Sequence, residues 1–144
     1  MKPHTFALVS IAAVLVAMAA SAGAPKPPPA TRVVFDVSAG EPERWAGVVT
    51  NVENVRATLG AQTQVEVVAY GKGIGLVLAS DTQLAPRMSA LASAGVSFVA
   101  CENTLRKQGI DRKQLLPFVK TVDSGVAELI RRQQAGWAYL KPGG

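Results

Sequence analysis

Three places in this 144-residue chain carry side chains or backbone able to do chemistry: Cys101, the run Gly71-Lys72-Gly73-Ile74-Gly75, and Asp36. Cys101 follows an apolar segment, Val96–Ala100, and precedes a helix-like one, Glu102–Gln108. Backbone N–H groups and the helix dipole at such a junction favour a thiolate over a thiol. Arg106 and Lys107 add positive potential, and Glu102 opposes it. A thiolate can attack a sulfur donor, hold a persulfide or exchange with a disulfide. The competing reading is an inert cysteine filling an apolar gap.

The glycine run has two readings as well. Glycines after a strand can bring N–H groups against an anion. This run lacks both the G-x-G-x-x-G spacing and the G-K-[ST] ending of the phosphate motifs, so a tight turn needing positive φ is the preferred reading. Asp36 is either a base or acceptor at a strand end, or a solvated residue there. With Gly71, Lys72, Gly73, Asn103 and Arg106, it completes the candidate pocket around Cys101.

What is missing narrows the chemistry. The one histidine, His4, lies within a stretch expected to be removed, and Cys101 is the one cysteine. The mature domain therefore holds neither a Ser-His-Asp nor a Cys-His pair. A Cys/His zinc site and an intrachain disulfide are equally out of reach, and no complete nucleotide motif or cofactor motif is present. No metal and no cofactor is expected.

The elements that must position Cys101 alternate along the chain. Arg32–Val37 (RVVFDV) reads as a strand. Glu41-Pro42-Glu43 opens a helix, since proline and acids suit a first turn. Trp45, Val48, Val49, Val52, Val55 and Leu59 line one face of it up to Gly60. Gln64–Ala69 is a second strand, followed by a glycine turn and the short apolar segment Ile74–Ala79. Asp81 is the expected N-cap of a helix running to Ala94, with Leu84, Met88 and Leu91 inward. Val96–Ala100 is the third strand and Glu102–Gln108 a short helix. Asp111 caps a helical turn, Phe118–Val122 is a fourth strand, and Asp123 or Ser124 caps a last helix with Val126, Leu129 and Ile130 inward. Trp137–Leu140 is a closing strand or an extended tail, with Trp137 and Tyr139 as packing or interface residues. Such alternation implies an α/β fold of three layers, α/β/α, around a mainly parallel sheet of about five strands. Its ligands gather at the strands' carboxyl ends, where Asp36, the glycine turn and Cys101 all fall.

The amino terminus predicts export. A short basic start, the apolar run Phe6–Ala20 and the small-residue stretch Ala20–Ala24 follow the order of a cleavable signal peptide. Those 15 apolar residues fall short of the roughly 20 that span a bilayer, so an uncleaved anchor is the weaker alternative. Residues 1–22 are thus the signal peptide, 23–30 a tether rich in proline, and 31–142 one domain. From Gly23 onward the chain has fourteen Lys+Arg against ten Asp+Glu. That charge is scattered, without the dense basic stripe of a nucleic-acid footprint, and no later segment ties the chain to a membrane. The expected location is periplasmic or secreted.

The run VACENTLRKQGI (Val99–Ile110), continued by DRKQLLPFVKTVDSGVAELIRRQQAGWAYLKP (Asp111–Pro142), resembles the DsrE/DsrF-like proteins, also called YchN-like. The resemblance extends over about Thr31 to Pro142, with Cys-Glu-Asn-Thr-Leu-Arg and Gly-Trp-Ala-Tyr as its most specific parts. It implies a parallel five-strand core between helices, and homo-oligomers, often trimers or hexamers. It also implies sulfur relay through a cysteine persulfide, which carries over to Cys101, and a sulfur donor or acceptor protein as partner. The signal peptide departs from the cytoplasmic relays of that family. Three functions follow as expectations. The first is an exported sulfur carrier or thiol-exchange protein. The second is a non-catalytic oligomeric module binding a small anion or a protein partner. The third is a redox subunit crosslinked through Cys101 across a symmetry axis.

Overall fold

The computed structural model describes Met1, residues 30–80 and residues 83–142. The expected signal peptide beyond Met1, nearly all of the tether, and Asp81 lie outside the described residues. The described elements run β1 (Arg32–Val37), α1 (Pro42–Leu59), β2 (Gln64–Ala69), a 3-10 helix (Gly71–Val77), α2 (Ala85–Ser93), β3 (Ser97–Cys101), α3 (Glu102–Gln108), a 3-10 turn (Arg112–Gln114), β4 (Lys120–Val122), α4 (Gly125–Gln134) and β5 (Ala138–Leu140). Among the described residues no helix is long and apolar enough to cross a membrane.

The five strands stand in the order β4-β3-β2-β1-β5, and every neighbouring pair is parallel. From β1 to β4 the chain steps in one direction, then returns beneath the sheet to add β5 on the far side of β1. Right-handed crossovers put the helices of a one-way run on one face and the helix of a reversed step on the other. Accordingly α1, α2 and α3 pack on one face through Trp45, Val49, Val52, Met88, Leu91 and Leu105. The other face holds a small cluster of Val34, Val68, Val99 and Leu129, with Leu129 coming from α4. This is the single α/β domain, with its sheet between helices, that the alternation predicts.

Local chemistry explains the element ends. Pro42 enters α1 at its first turn, and the Trp45 indole N–H donates to Ala39 O at 2.8 Å. Asp111 and Gln114 form a reciprocal capping box around the 3-10 turn. The segment expected as an open glycine turn plus an apolar stretch is instead one 3-10 helix with Ile74, Leu76 and Val77 buried. The helix after it begins at Ala85 with Leu84 as its N-cap residue, and Leu84 is only partly buried while Met88 and Leu91 are in the core. Phe118 is not in a strand. It precedes β4 and packs edge-on against Phe98, with ring centroids 5.6 Å apart.

α4 holds the main surprise. Val126 and Ile130, expected inward, are half exposed, and so is Leu59 at the end of α1. The buried positions of α4 are Gly125, Glu128 and Leu129. With Arg132 they recur at i, i+3, i+4 and i+7, a helical stripe that contains two charges. Glu66, buried in β2, faces that stripe, and Arg132 binds it with Nε–Oε1 at 2.9 Å and NH2–Oε2 at 2.7 Å. An inward ion pair displaces the two aliphatic residues to the outside.

Candidate functional site

The strand order reverses between β1 and β5, so the topological switch point lies there, beside Asp36 near the end of β1. Toward the other edge of the sheet, the connection leaving β3 goes to α3 on one face and the connection leaving β4 goes to α4 on the other. Ligands of open parallel sheets gather outside the carboxyl ends of the strands. Cys101, the last residue of β3, sits there and is only 5 % exposed. Its φ of −76° and ψ of 116° put it at the N-cap position of α3. A Ser, Thr, Asp or Asn there would place an oxygen over the first free N–H groups of the helix. The thiol makes no such capping bond, so those donors remain available to a thiolate.

A second helix reaches the same sulfur. α4 starts at Gly125, after the Ser124 N-cap whose hydroxyl accepts from Ala127 N–H at 3.3 Å. A Cβ on Gly125 would lie 2.9 Å from Tyr70 Cβ and 3.3 Å from Cys101 Cβ. Only a residue without a side chain lets this helix end lie against the cysteine. Asn103 N–H donates to Asp123 O at 3.3 Å, which ties the start of α3 to the lead-in of α4.

The electrostatics follow from this geometry. Burial by itself pushes the Cys101 thiol up. Hydrogen bonding from the Thr104 hydroxyl and from the backbone N–H groups of Gly125, Thr104 and Asn103 outweighs burial, so the thiol lies below its ordinary value. Thr104 is oriented for this. Its Oγ1 accepts from Gly71 N–H at 3.0 Å, which leaves its own O–H free to point at sulfur. Gln108 then donates to Gly71 O at 3.0 Å.

The candidate residues therefore separate into groups. Gly71 is joined to the cysteine through Thr104, and its φ of +55° is a conformation that glycine adopts easily. Gly73 has a packing role, since a Cβ there would run into Val37 O. Lys72 is exposed and packs over Gly40. Asn103 is exposed on the first turn of α3, and its Oδ1 accepts from Arg106. Arg106 is thus engaged beside the cysteine, whereas Glu102 is paired with Arg112 at 2.5 Å.

Asp36 forms a neighbouring centre. It is buried at 4 % exposure, and its Oδ2 accepts from Tyr139 OH at 2.6 Å and from Tyr70 OH at 3.2 Å. Lys141 Nζ lies 3.7 Å from the same oxygen, and Oδ1 has no protein partner. The bond to Asp36, helped by burial, pushes the Tyr139 phenol up to about 12. Asp36 also lines a cavity of about 60 Å³ with Ser38, Arg44, Trp45 and Lys141. Tyr70 joins the two centres, with its hydroxyl on Asp36 and its Cβ beside Gly125.

Sequence reasoning missed Thr104, Gly125 and Tyr70 as site residues. A glycine directly after a Ser N-cap, where a helix former is expected, was the one local signal for Gly125. Among the described residues, no three His, Cys, Asp or Glu side chains converge as a metal site.

Residues 32–142 match the DsrE/DsrF-like family. The chain is a member of the DsrE/DsrF-like family. A solved structure of a protein of unknown function, MTH1491 from Methanobacterium thermoautotrophicum, is similar to it at 40 % identity and a TM-score of 0.73. That similarity covers 78 % of this chain and 99 % of MTH1491. No curated protein matches the chain. In this DsrE-like chain, the cysteine of the Cys-Glu-Asn-Thr segment is the residue on which two helix starts converge.

Proposed function

We propose that this DsrE-like protein is an exported sulfur carrier that holds sulfane sulfur as a persulfide on Cys101. The observation carrying the proposal is that Cys101 stands at the N-cap position of α3 with the start of α4, at Gly125, packed against it, and burial of the thiol is outweighed by hydrogen bonding so that it lies below its ordinary value. A thiolate so held attacks the outer sulfur of thiosulfate. An S–S bond forms to Cys101, the S–S bond of the donor breaks, and sulfite leaves with the electron pair. A thiolate acceptor then takes the outer sulfur and regenerates Cys101. Polysulfide or a protein persulfide would serve as donor by the same step. The donors that favour the thiolate also favour the persulfide anion.

Export through residues 1–22, a tether at 23–30 and a folded domain over 31–142 belong to this proposal, as does a periplasmic or secreted location. Assembly into trimers or hexamers belongs to it too. The half-exposed Val126 and Ile130 on α4, with Tyr139 and Leu140 on the edge strand β5, supply apolar surface for such contacts. The test is sulfite release from thiosulfate in the presence of a thiol acceptor. Wild-type protein releases sulfite repeatedly, while Cys101→Ser releases none. Equal release by both proteins would sink the proposal.

A second reading rests on Asp36. Its unpartnered Oδ1 suits a non-catalytic module that accepts a donor group of a protein partner, while the Arg44 and Lys141 side chains around the same cavity are the groups that would face a small anion. Under that reading Cys101 is structural, and Cys101→Ser leaves binding intact while Asp36→Asn weakens it.

A further inference from the structure

α4 is the helix that covers the second face of the sheet, and half of its inward stripe is charged. Leu129 is its one buried aliphatic side chain, while Val126 and Ile130 point outward. What grips the sheet is Arg132. Besides its two bonds to Glu66, its Nε lies 2.8 Å from Glu128 Oε1. Its guanidinium carbon also lies 4.7 Å from the centroid of the Trp137 ring. Glu66 and Glu128 are both buried. Burial pushes the Glu66 carboxyl up, against the pull of Arg132.

Gly125, at the other end of the helix, is seven residues or about 10 Å away along the axis. An α-helix transmits a shift along its axis because its turns are hydrogen-bonded in series. At its Gly125 end it meets Cys101 and Tyr70 without a side chain, and its lead-in is tied by the pairing of Val122 with Cys101 and by the Asn103 N–H bond to Asp123 O. The ion-pair clamp two turns on fixes the tilt of the helix about those ties.

We infer that Arg132 is a positioning residue for Cys101: its ion pairs with Glu66 and Glu128 set how closely the Gly125 N–H at the start of α4 approaches the cysteine sulfur. The inference rests on the sulfur-carrier reading and adds a control element remote from the sulfur. It also explains why a charged cluster is retained under α4, where apolar side chains of similar volume would hold the helix about as stably.

The experiment follows alkylation of Cys101 by iodoacetamide as a function of pH, in the full exported chain. The quantity read is the midpoint of the rate curve, which reports the thiol pKa whatever the accessibility of the sulfur. Arg132→Met is expected to raise the midpoint by at least about half a unit, a threefold loss of thiolate well below the midpoint and within the reach of one helix terminus. Arg132→Lys, which keeps a cation over Glu66, restores part of the shift. Met88→Ala, a cavity on the opposite face, lowers stability but leaves the midpoint in place. If Arg132→Met does not fold, the pair Glu66→Gln with Arg132→Met removes the uncompensated charge and is read the same way. An unchanged midpoint in the Arg132 variants, or an equal change in Met88→Ala, overturns the inference while the carrier reading stands. A wild-type midpoint at or above that of an ordinary thiol overturns both.

Discussion

Replacing Gly125 by alanine tests the convergence of two helix starts on Cys101 with one methyl group. The φ of Gly125 is not positive, so alanine brings no backbone strain. As a helix former alanine is better by up to about 1 kcal/mol. Against that, its Cβ would stand 2.9 Å from Tyr70 Cβ, 3.1 Å from Tyr70 Cγ and 3.3 Å from Cys101 Cβ. Ordinary contact at such positions begins near 3.4 Å. The start of α4 must therefore retreat by about half an ångström, because Tyr70 is anchored at Asp36 and Cys101 belongs to the sheet. Overpacking of this size costs about 1–3 kcal/mol, which leaves a net loss of about 0–2 kcal/mol after a helical gain of about 1 kcal/mol. Urea unfolding measures that loss. The same retreat draws the Gly125 N–H away from sulfur, so the thiol midpoint rises toward its ordinary value. A variant as stable as wild type with an unshifted thiol would refute the packing argument.

Three further outcomes are expected. Thr104→Val keeps the shape but removes the hydroxyl, so the Cys101 thiol rises, and the loss of the Gly71 N–H acceptor costs about 1–2 kcal/mol; Thr104→Ser restores both in alkylation and unfolding assays. Gly73→Ala is strongly destabilised by its overlap with Val37 O, whereas Lys72→Ala stays within about 0.5 kcal/mol of wild type in urea unfolding. Tyr139 has a folded-state value of about 12, above the roughly 10 of a free phenol, so its bond to Asp36 stabilises fully below about pH 10 and is lost as pH rises through about 12. Unfolding of Tyr139→Phe and wild type should therefore differ at neutral pH and converge in strong alkali, and a difference that persists there would contradict the assignment.

Much of the frame could be read from local signals. β1, α1, β2 and α3 fall where the β-branched runs, Pro42 and Gly109 put them, and Asp111 caps as its spacing predicts. Those signals are local, and each is repeated by neighbouring residues. The second face was harder to read because its inward stripe on α4 is half polar. Glu128 and Arg132 look like a solvated face until Glu66, some sixty residues earlier, is placed beneath them. Phe118 looked like a strand residue because aromatic and β-branched neighbours surround it, yet it turns back onto Phe98. In the site, Cys101 was legible as a strand-end cysteine, and Thr104 lay within its motif. Gly125 was not legible, since only the return of the chain beneath the sheet brings a residue twenty-four positions later against the sulfur. The link from Tyr139 to Asp36 has the same origin, the parallel pairing of β5 with β1.

The central claim is that Cys101 accepts sulfane sulfur, and intact-mass analysis after incubation with thiosulfate or polysulfide tests it most directly. The account predicts a gain of about 32 Da, one sulfur atom, that is removed by dithiothreitol and absent from Cys101→Ser. A folded wild-type protein whose mass stays unchanged under those conditions would contradict it.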